Sequence, residues 1–548
     1  MGFWQKVAGF LIIASFLIPA IPTAQSGTVS TLPAPNHHDP ITIEGDGNFT
    51  IANGVVAGSG TLSDPFLIAG WNISGPGDHA LAIRNTTTSF VVNGCEIFAD
   101  GQLLRHGVLI WNGRNGAIRN SSISGYQPAV YLYEAGNISI DDCAITGGVT
   151  AWPCTGSISM YRNHMVSGGI SLSESSDGIA IQDNWLNSSA LNLAGCDRGT
   201  VSRNVINLTY ELEFSDCSNL TIEDNKMLDC SIGLWGISLE KMMTIDISST
   251  NTVNGLPVVF LKNQSDSLVD ASRCGQIIGV NIHNVSIIGF TSPSFNSSWY
   301  GLYGGTGIAV IFSSNVSIGM CSISEKYEGI SCARSSGLSI WDNTITECGI
   351  GVSMGLCNDF NISGNDITGT RGQGINIGTS DSGVIYGNRF AGIEECLFAY
   401  RMSNLSVVAN DFEPDRCLLT LEDVSDCVVY HNNFEFDFYG GNTLWIWGEI
   451  SNISFDNGLP DGGNYWSGAK RVDKNKDGFS DDPVIVYNGG PPPMTISDRY
   501  PLMHPYGKIE GGSDVIWILL AAIVGVIAGL MLALWRPKRF SPPEIKPL

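Results

Sequence analysis

The residues best spaced for chemistry form one loop near the C-terminus, Asp473-Lys-Asn475-Lys-Asp477-Gly478-Phe479-Ser-Asp481. Oxygen-bearing side chains at positions 1, 3 and 5, a glycine at 6, a backbone carbonyl at 7 and an acid at 9 follow the first part of a calcium-binding loop. The bidentate glutamate that closes an EF-hand loop at position 12 is replaced by Val484, so Asp481 or Asp482 has to close the shell. A polar turn needs no such alternation of oxygens. The expectation is a structural Ca²⁺ held by Asp473, Asn475, Asp477, the Phe479 carbonyl and Asp481.

Other candidate groups carry less. Cleaving a polysaccharide takes paired carboxylates, or an acid with an Arg or Lys base, on one face. Asp141-Asp142 and Glu394-Glu395 are the nearest pairs, but no acid or histidine joins either at repeat spacing, and Arg105-His106 is distant. No catalytic residue is therefore assigned, and the reading leans away from an enzyme. His37-His38-Asp39 is the only dense set of copper-type ligands, and a solvated tail explains it better, so copper is not expected. Trp111, Tyr131, Trp152, Trp185, Trp235, Trp299, Tyr300 and Trp341 would stack on sugar rings if exposed in a line, or would pack in loops if buried. A net charge of −24 with no Lys/Arg cluster in the body excludes a nucleic-acid partner.

What positions these groups is a repeat. An Asn followed two residues later by a large apolar side chain recurs at Asn343-Thr-Ile345, Asn365-Asp-Ile367, Asn388-Arg-Phe390, Asn410-Asp-Phe412 and Asn432-Asn-Phe434, with Cys321-Ser-Ile323 in the preceding slot. The step is about 22 residues, in the range of solenoids. A second mark, Gly307, Gly329, Gly351 and Gly374, keeps constant phase roughly 14 residues ahead. Between the marks lie three- to four-residue apolar/polar alternations such as Gly351-Val-Ser-Met354, which suit short strands and not helices. Stacked turns would pair each strand with its own copy, giving an all-β, right-handed parallel β-helix of about 15 coils. Asn would suit a tight corner through its tolerance of left-handed backbone, and stacked copies would bond amide to amide. Weaker slots run back through Asn251, Asn225, Asn204, Asn184, Asn163 and Cys143.

The ends read differently. An apolar run behind Lys6, closed by Pro22-Thr23-Ala24, reads as a secretory signal, and Val515 to Trp535, followed by Arg536, Lys538 and Arg539, reads as one membrane span with the body outside. The chain then divides into a signal peptide (1–24), a leader (25–40), an N-terminal cap (41–79), a β-helix (80–439) with an insertion projecting at 254–273, a C-terminal cap and stalk (440–514), a transmembrane helix (515–535) and a cytoplasmic tail (536–548). About fifteen Asn-x-Ser/Thr sequons suit an exported chain; Asn137, Asn219, Asn284, Asn315 and Asn404 sit at corners and are candidates for glycosylation. The 14 cysteines keep the repeat phase, as Cys196 and Cys217 do, which favours stacked interior thiols over a disulfide framework.

The repeats, the opening GSGTLSDPFLIAGWNISG, the interruption NTVNGLPVVFLKN and the ending GGNYWSGAKRVDKNKDGFSDDP resemble the NosD-like parallel β-helix proteins common on archaeal surfaces. The resemblance covers nearly the whole extracellular part and is specific for fold. It implies kinship with carbohydrate-binding and sugar-hydrolase β-helices. The functional expectation is a membrane-anchored, non-catalytic surface protein recognising glycans or neighbouring surface proteins, with a polysaccharide hydrolase or lyase as the alternative and NosD-like copper handling third.

Overall fold

The computed structural model describes residues 36–75, 78–98, 106–125, 128–175, 178–207, 211–236, 238–293, 304–435, 443–489 and 494–507. The predicted signal peptide, most of the leader, the predicted transmembrane helix, the tail, Arg105, Trp299 and Tyr300 lie outside the described residues. Among the described residues no helix is long and apolar enough to cross a membrane.

The described residues wind as an all-β parallel solenoid of about 16 turns with almost no helix. A typical turn has three strands: Ile350–Gly355, Asn358–Ser363 and Asp366–Thr368. Each pairs in parallel and in register with its copy in the turn before, Glu328–Ala333, Ser336–Trp341 and Thr344–Thr346. One-to-one register puts like on like. Ile345, Ile367, Phe390, Phe412 and Phe434 form one interior column, in which Phe390 and Phe412 stack at 4.8 Å and Phe434 meets Trp466 at 4.4 Å. These side chains are buried, each contributing about 1.5–3 kcal/mol.

The repeated Asn has a different reason from the one expected. Its backbone is not left-handed; the residue before it is, as at Asp342 (φ 50°), Ala409 (φ 57°) and His431 (φ 60°). Asn is required for its amide. Asn365 Nδ2 donates to Ile340 O (3.0 Å) and to Asn388 Oδ1 (2.9 Å), and Asn388 Oδ1 also accepts the Asn365 backbone N–H (2.9 Å). The same three bonds recur at Asn343, Asn388, Asn410 and Asn432, all buried. Each amide thus satisfies corner groups that the strand ladder cannot reach. The column passes to Asn464 and ends on the buried carboxylate of Asp498, which accepts from Asn464 N (2.7 Å) and Trp466 Nε1 (2.8 Å). Burial pushes the Asp498 carboxyl up to about 6.

All 14 cysteines are buried as thiols. Several thiols donate across turns, Cys196 to Leu172 O (3.4 Å) and Cys217 to Leu193 O (3.3 Å). Burial pushes the Cys143 thiol up to about 11, away from the reactive thiolate.

The core is two clusters, one reaching from the N-terminal turns to Val280 and Ile311, the other from Leu261 to Ile496. The residues of the expected 254–273 insertion do not stand off the stack. Thr252–Val253 turns back antiparallel on Leu256–Lys262, which with Ser265–Asp270 begins the second set of turns by pairing with Gln276–Val280 and His283–Ile288. At this junction the Gln276 amide replaces a strand, donating to Ile232 O (2.7 Å) and accepting Ile232 N–H (2.9 Å). At the N-terminal end Asn36–His38 and Ile41–Glu44 already pair with Trp71–Ile73 and His79–Thr86. At the C-terminal end Thr443–Trp447 and Ser451–Ser454 add a turn, and an antiparallel hairpin, Val484–Gly489 with Met494–Asp498, follows.

Candidate functional site

Parallel register writes the lateral face as columns of outward side chains. On the sheet containing Val130–Tyr133, Val149–Ala151 and His164–Ser173, one column runs Leu109, Tyr131, Thr150, Ser171, Asn192, Glu213 and Gly233. Two residues along, Arg84, Trp111 and Tyr133 stand in register, with Trp152 beside Tyr133. Trp111 meets Tyr133 edge-on at 5.5 Å, Tyr133 meets Trp152 at 5.9 Å, and both tryptophans are exposed. Soluble proteins rarely leave such rings in water without use.

From Thr150, two residues before Trp152 at the end of this aromatic row, a groove of about 510 Å³ opens, lined by Gly148, Gly169, Thr150, Ser171 and Asn192. The glycines are obligatory here. A side chain on Gly169 (φ 145°) would collide with Ala190 O, and one on Gly168 with Gly148 N. The floor therefore stays open, uncharged and rich in small hydroxyl and amide groups. His106, stacked between His79 (5.5 Å) and Tyr131 (5.0 Å), is held by Pro128 O through Nδ1 (2.7 Å).

Past Asn192 the face turns acidic. Glu211 and Glu213 project outward from one strand, Glu213 exposed and Glu211 buried. Glu211 Oε1 accepts the Thr306 N–H (2.9 Å) and hydroxyl (2.7 Å), while Oε2 occupies the space that the missing side chain of Gly233 leaves, near Trp235. Burial raises the Glu211 carboxyl above its ordinary range, and raises Glu328 on the far side of Thr306 likewise. Sequence reasoning missed these acids. Glu211 and Glu328 are brought together only by register across the junction, and the available signal was the i, i+2 spacing of Glu211 and Glu213 within a phased strand.

The residues singled out in the sequence fall in several places. Asp142 is tied to Arg162 (2.7 Å) and Asp141 to Arg119 (3.3 Å), so that pair is spent on separate ion pairs. Trp185 stacks on His164 at 4.2 Å on the strand segments that the left-handed bend at Ser167 and Ser188 separates from those of the groove floor, Trp235 is exposed, and Trp341 Nε1 donates to Ser317 Oγ (2.7 Å). Asn137, Asn219, Asn284, Asn315 and Asn404 are exposed at left-handed corners, with φ between 52° and 55°. In the acidic loop Asp473 accepts Lys476 N–H (2.6 Å) and Gly478 N–H (3.1 Å), Asn475 Oδ1 accepts Asp477 N–H (3.1 Å), Asp477 accepts Phe479 N–H (3.0 Å), and Asp481 accepts Lys474 N–H (2.8 Å). Among the described residues no three His, Cys, Asp or Glu side chains are gathered to hold a metal ion. His38, in particular, turns to Trp71 (5.2 Å) and Asp39 O.

Residues 86–255 and 248–470 match the family described as periplasmic copper-binding protein (NosD). The chain belongs to the NosD family. It is a NosD-like right-handed β-helix protein. No curated protein matches it. Solved structures similar to this NosD-family chain include a double mutant of the periplasmic alginate epimerase AlgG (12% identity, TM-score 0.23, 68% of this chain and 76% of that one). Others are the Azotobacter vinelandii mannuronan C-5 epimerase AlgE4 A-module (13%, 0.20, 62% and 85%) and PfbA, a surface adhesin of Streptococcus pneumoniae (11%, 0.21, 62% and 91%).

Proposed function

We propose that this NosD-family chain is a membrane-anchored extracellular β-helix that recognises glycans along its lateral face. The observation that carries this reading is the open groove at the end of the row Trp111, Tyr133 and Trp152. Exposed rings in register offer apolar faces to sugar C–H groups, and the Thr, Ser and Asn floor offers hydrogen bonds to hydroxyls. The floor is uncharged and the chain strongly acidic, which favours a neutral glycan over a uronate. Anchoring rests on the apolar segment 515–535 and the basic residues behind it. A glycan-array screen of the full-length chain tests the reading: saturable binding to neutral oligosaccharides supports it, and an array without hits overturns it.

A second reading, hydrolysis, is favoured by Glu211 and Glu213. One strand face carries a buried carboxyl held protonated to higher pH and an exposed carboxyl, the division of labour that a glycoside hydrolase uses. Product analysis on array hits separates the two: released sugar, lost in Glu213→Gln, would replace recognition by catalysis.

The loop Asp473–Asp481 is assigned a structural Ca²⁺. Its backbone N–H groups already orient the carboxylates and the Asn475 amide, as the alternating motif requires. Copper, named in the family's description, is given no ligand set, since no three His, Cys, Asp or Glu side chains are gathered among the described residues.

A further inference from the structure

A second cavity lies on the outward face of Gln373–Tyr386, Arg389–Val408 and Asp411–Glu422, many turns from the groove. It measures about 190 Å³ and is lined by Gln373, Glu394, Glu395, Arg416, Cys417 and Trp445. Register explains the assembly: Gln373, Glu395 and Cys417 occupy one column, and Phe398, Thr420 and Trp445 the neighbouring one.

Its polar groups are held in place. Glu395 is pinned by Gln373 Nε2 (3.0 Å) on Oε2 and by the Thr420 hydroxyl on Oε1. Arg416 Nη1 donates to Glu394 Oε1 (2.6 Å), and its guanidinium lies 5.7 Å from the centre of the Trp445 ring. Trp445 is 40% exposed and meets Trp447 at 5.6 Å. The cavity thus joins a half-exposed indole face to planar carboxylate, amide and guanidinium groups. Each carboxylate oxygen has a second lone pair, and a guanidinium carries five N–H donors, so capacity for a ligand's hydroxyls is left after the internal bonds are made. About 190 Å³ falls below the range of pockets that take larger ligands. It suits one ring.

Resting on the glycan-recognition reading, we propose that this cavity is a separate subsite for a single uncharged pyranose unit, a chain end or a branch. The sugar's C–H face lies on Trp445, and adjacent hydroxyls are bridged by Glu395, Gln373 and Arg416. Two carboxylates against one guanidinium leave the site net negative, so it rejects uronates and other acidic sugars.

The test uses the full-length protein with D-glucose, D-mannose and N-acetyl-D-glucosamine, and with D-glucuronate as the charged comparison, followed by calorimetry and tryptophan fluorescence. At least one neutral sugar binds at one site per chain, about tenfold more weakly in Trp445→Ala and in Arg416→Met, and unchanged in Trp111→Ala with Trp152→Ala. Glucuronate binds at least about tenfold more weakly than that sugar. The inference is overturned if no neutral sugar saturates at millimolar concentration, if the Trp445 and Arg416 variants bind normally while folded by circular dichroism, or if glucuronate is preferred. The groove reading fails on a different result, oligosaccharide binding that survives Trp111→Ala with Trp152→Ala, so the two failures are distinguishable.

Discussion

The stretch from Cys321 to Trp466 and the junction around Ser231, Gln276 and Thr306 meet the same requirement by opposite means. In the first, each corner group finds its partner in the next copy of one residue, Asn to Asn, and the interior column repeats Ile or Phe. In the second the copies stop matching, and single side chains stand in for a strand: the Gln276 amide caps Ile232, and Glu211 accepts from Thr306. A repeat stack is held by nearest-neighbour terms, so a break has to be closed by polar groups from outside the repeat. The closure buries acids. It leaves Glu211 and Glu328 buried while Glu213, two residues from Glu211 on the same strand face, remains exposed.

Mutation separates the two regions most strongly. Asn388→Leu deprives Asn365 N–H and Ile362 O of partners at once and costs about 3–5 kcal/mol in urea unfolding. Gln276→Leu orphans the two groups of Ile232 in the less regular junction and costs about 2–3 kcal/mol. A larger loss at Gln276 than at Asn388 would mean that the junction, and not the Asn column, carries the stack.

Next in size is a pH effect. Asp498, raised to about 6, and Glu211 and Glu328, raised by burial, hold their protons longer folded than unfolded. Their contribution is complete below the ordinary carboxylate range and is lost as pH rises through the folded values, so unfolding free energy declines between about pH 4 and 7. Asp498→Asn and Glu211→Gln each flatten that slope. Slopes unchanged from wild type in both variants would show that these groups titrate normally.

The smallest expected effect concerns the acidic loop. Ca²⁺ raises the melting temperature of the full-length chain by a few degrees, and Asp473→Ala with Asp477→Ala removes the increment. A chelator-insensitive wild type would reduce the loop to a turn.

How much of this was legible in the sequence follows from the same contrast. Where one residue type repeats, as in the Asn slots, both period and stacking can be read directly. The backbone reason could not be, because the left-handed position beside each slot is filled in turn by Asp342, Gly364, Gly387, Ala409 and His431, with no constant residue to betray it. The passage of the column to Asn464 and Asp498 was hidden by a longer spacing. The residues after Asn254 lose the phase and were expected to project, yet they pair as strands, since strand pairing needs only backbone. Trp111 and Trp152 stand out in the sequence but Tyr133 between them does not, because the line-up of the three depends on turn lengths that vary among the early coils. Glu394 and Glu395 were noticed as a pair; the register that adds Gln373, Thr420 and Trp445 around them was not visible.

The most direct measurement compares two exposed tryptophans on opposite sides of the left-handed bend at Ser167 and Ser188, using the strongest neutral oligosaccharide from the array. Trp152→Ala, two residues from Thr150 of the groove, is expected to weaken binding about tenfold or more, and Trp185→Ala, stacked on His164 across that bend, to leave it unchanged. Equal loss in both variants, or loss only in Trp185→Ala, would contradict recognition along the lateral face.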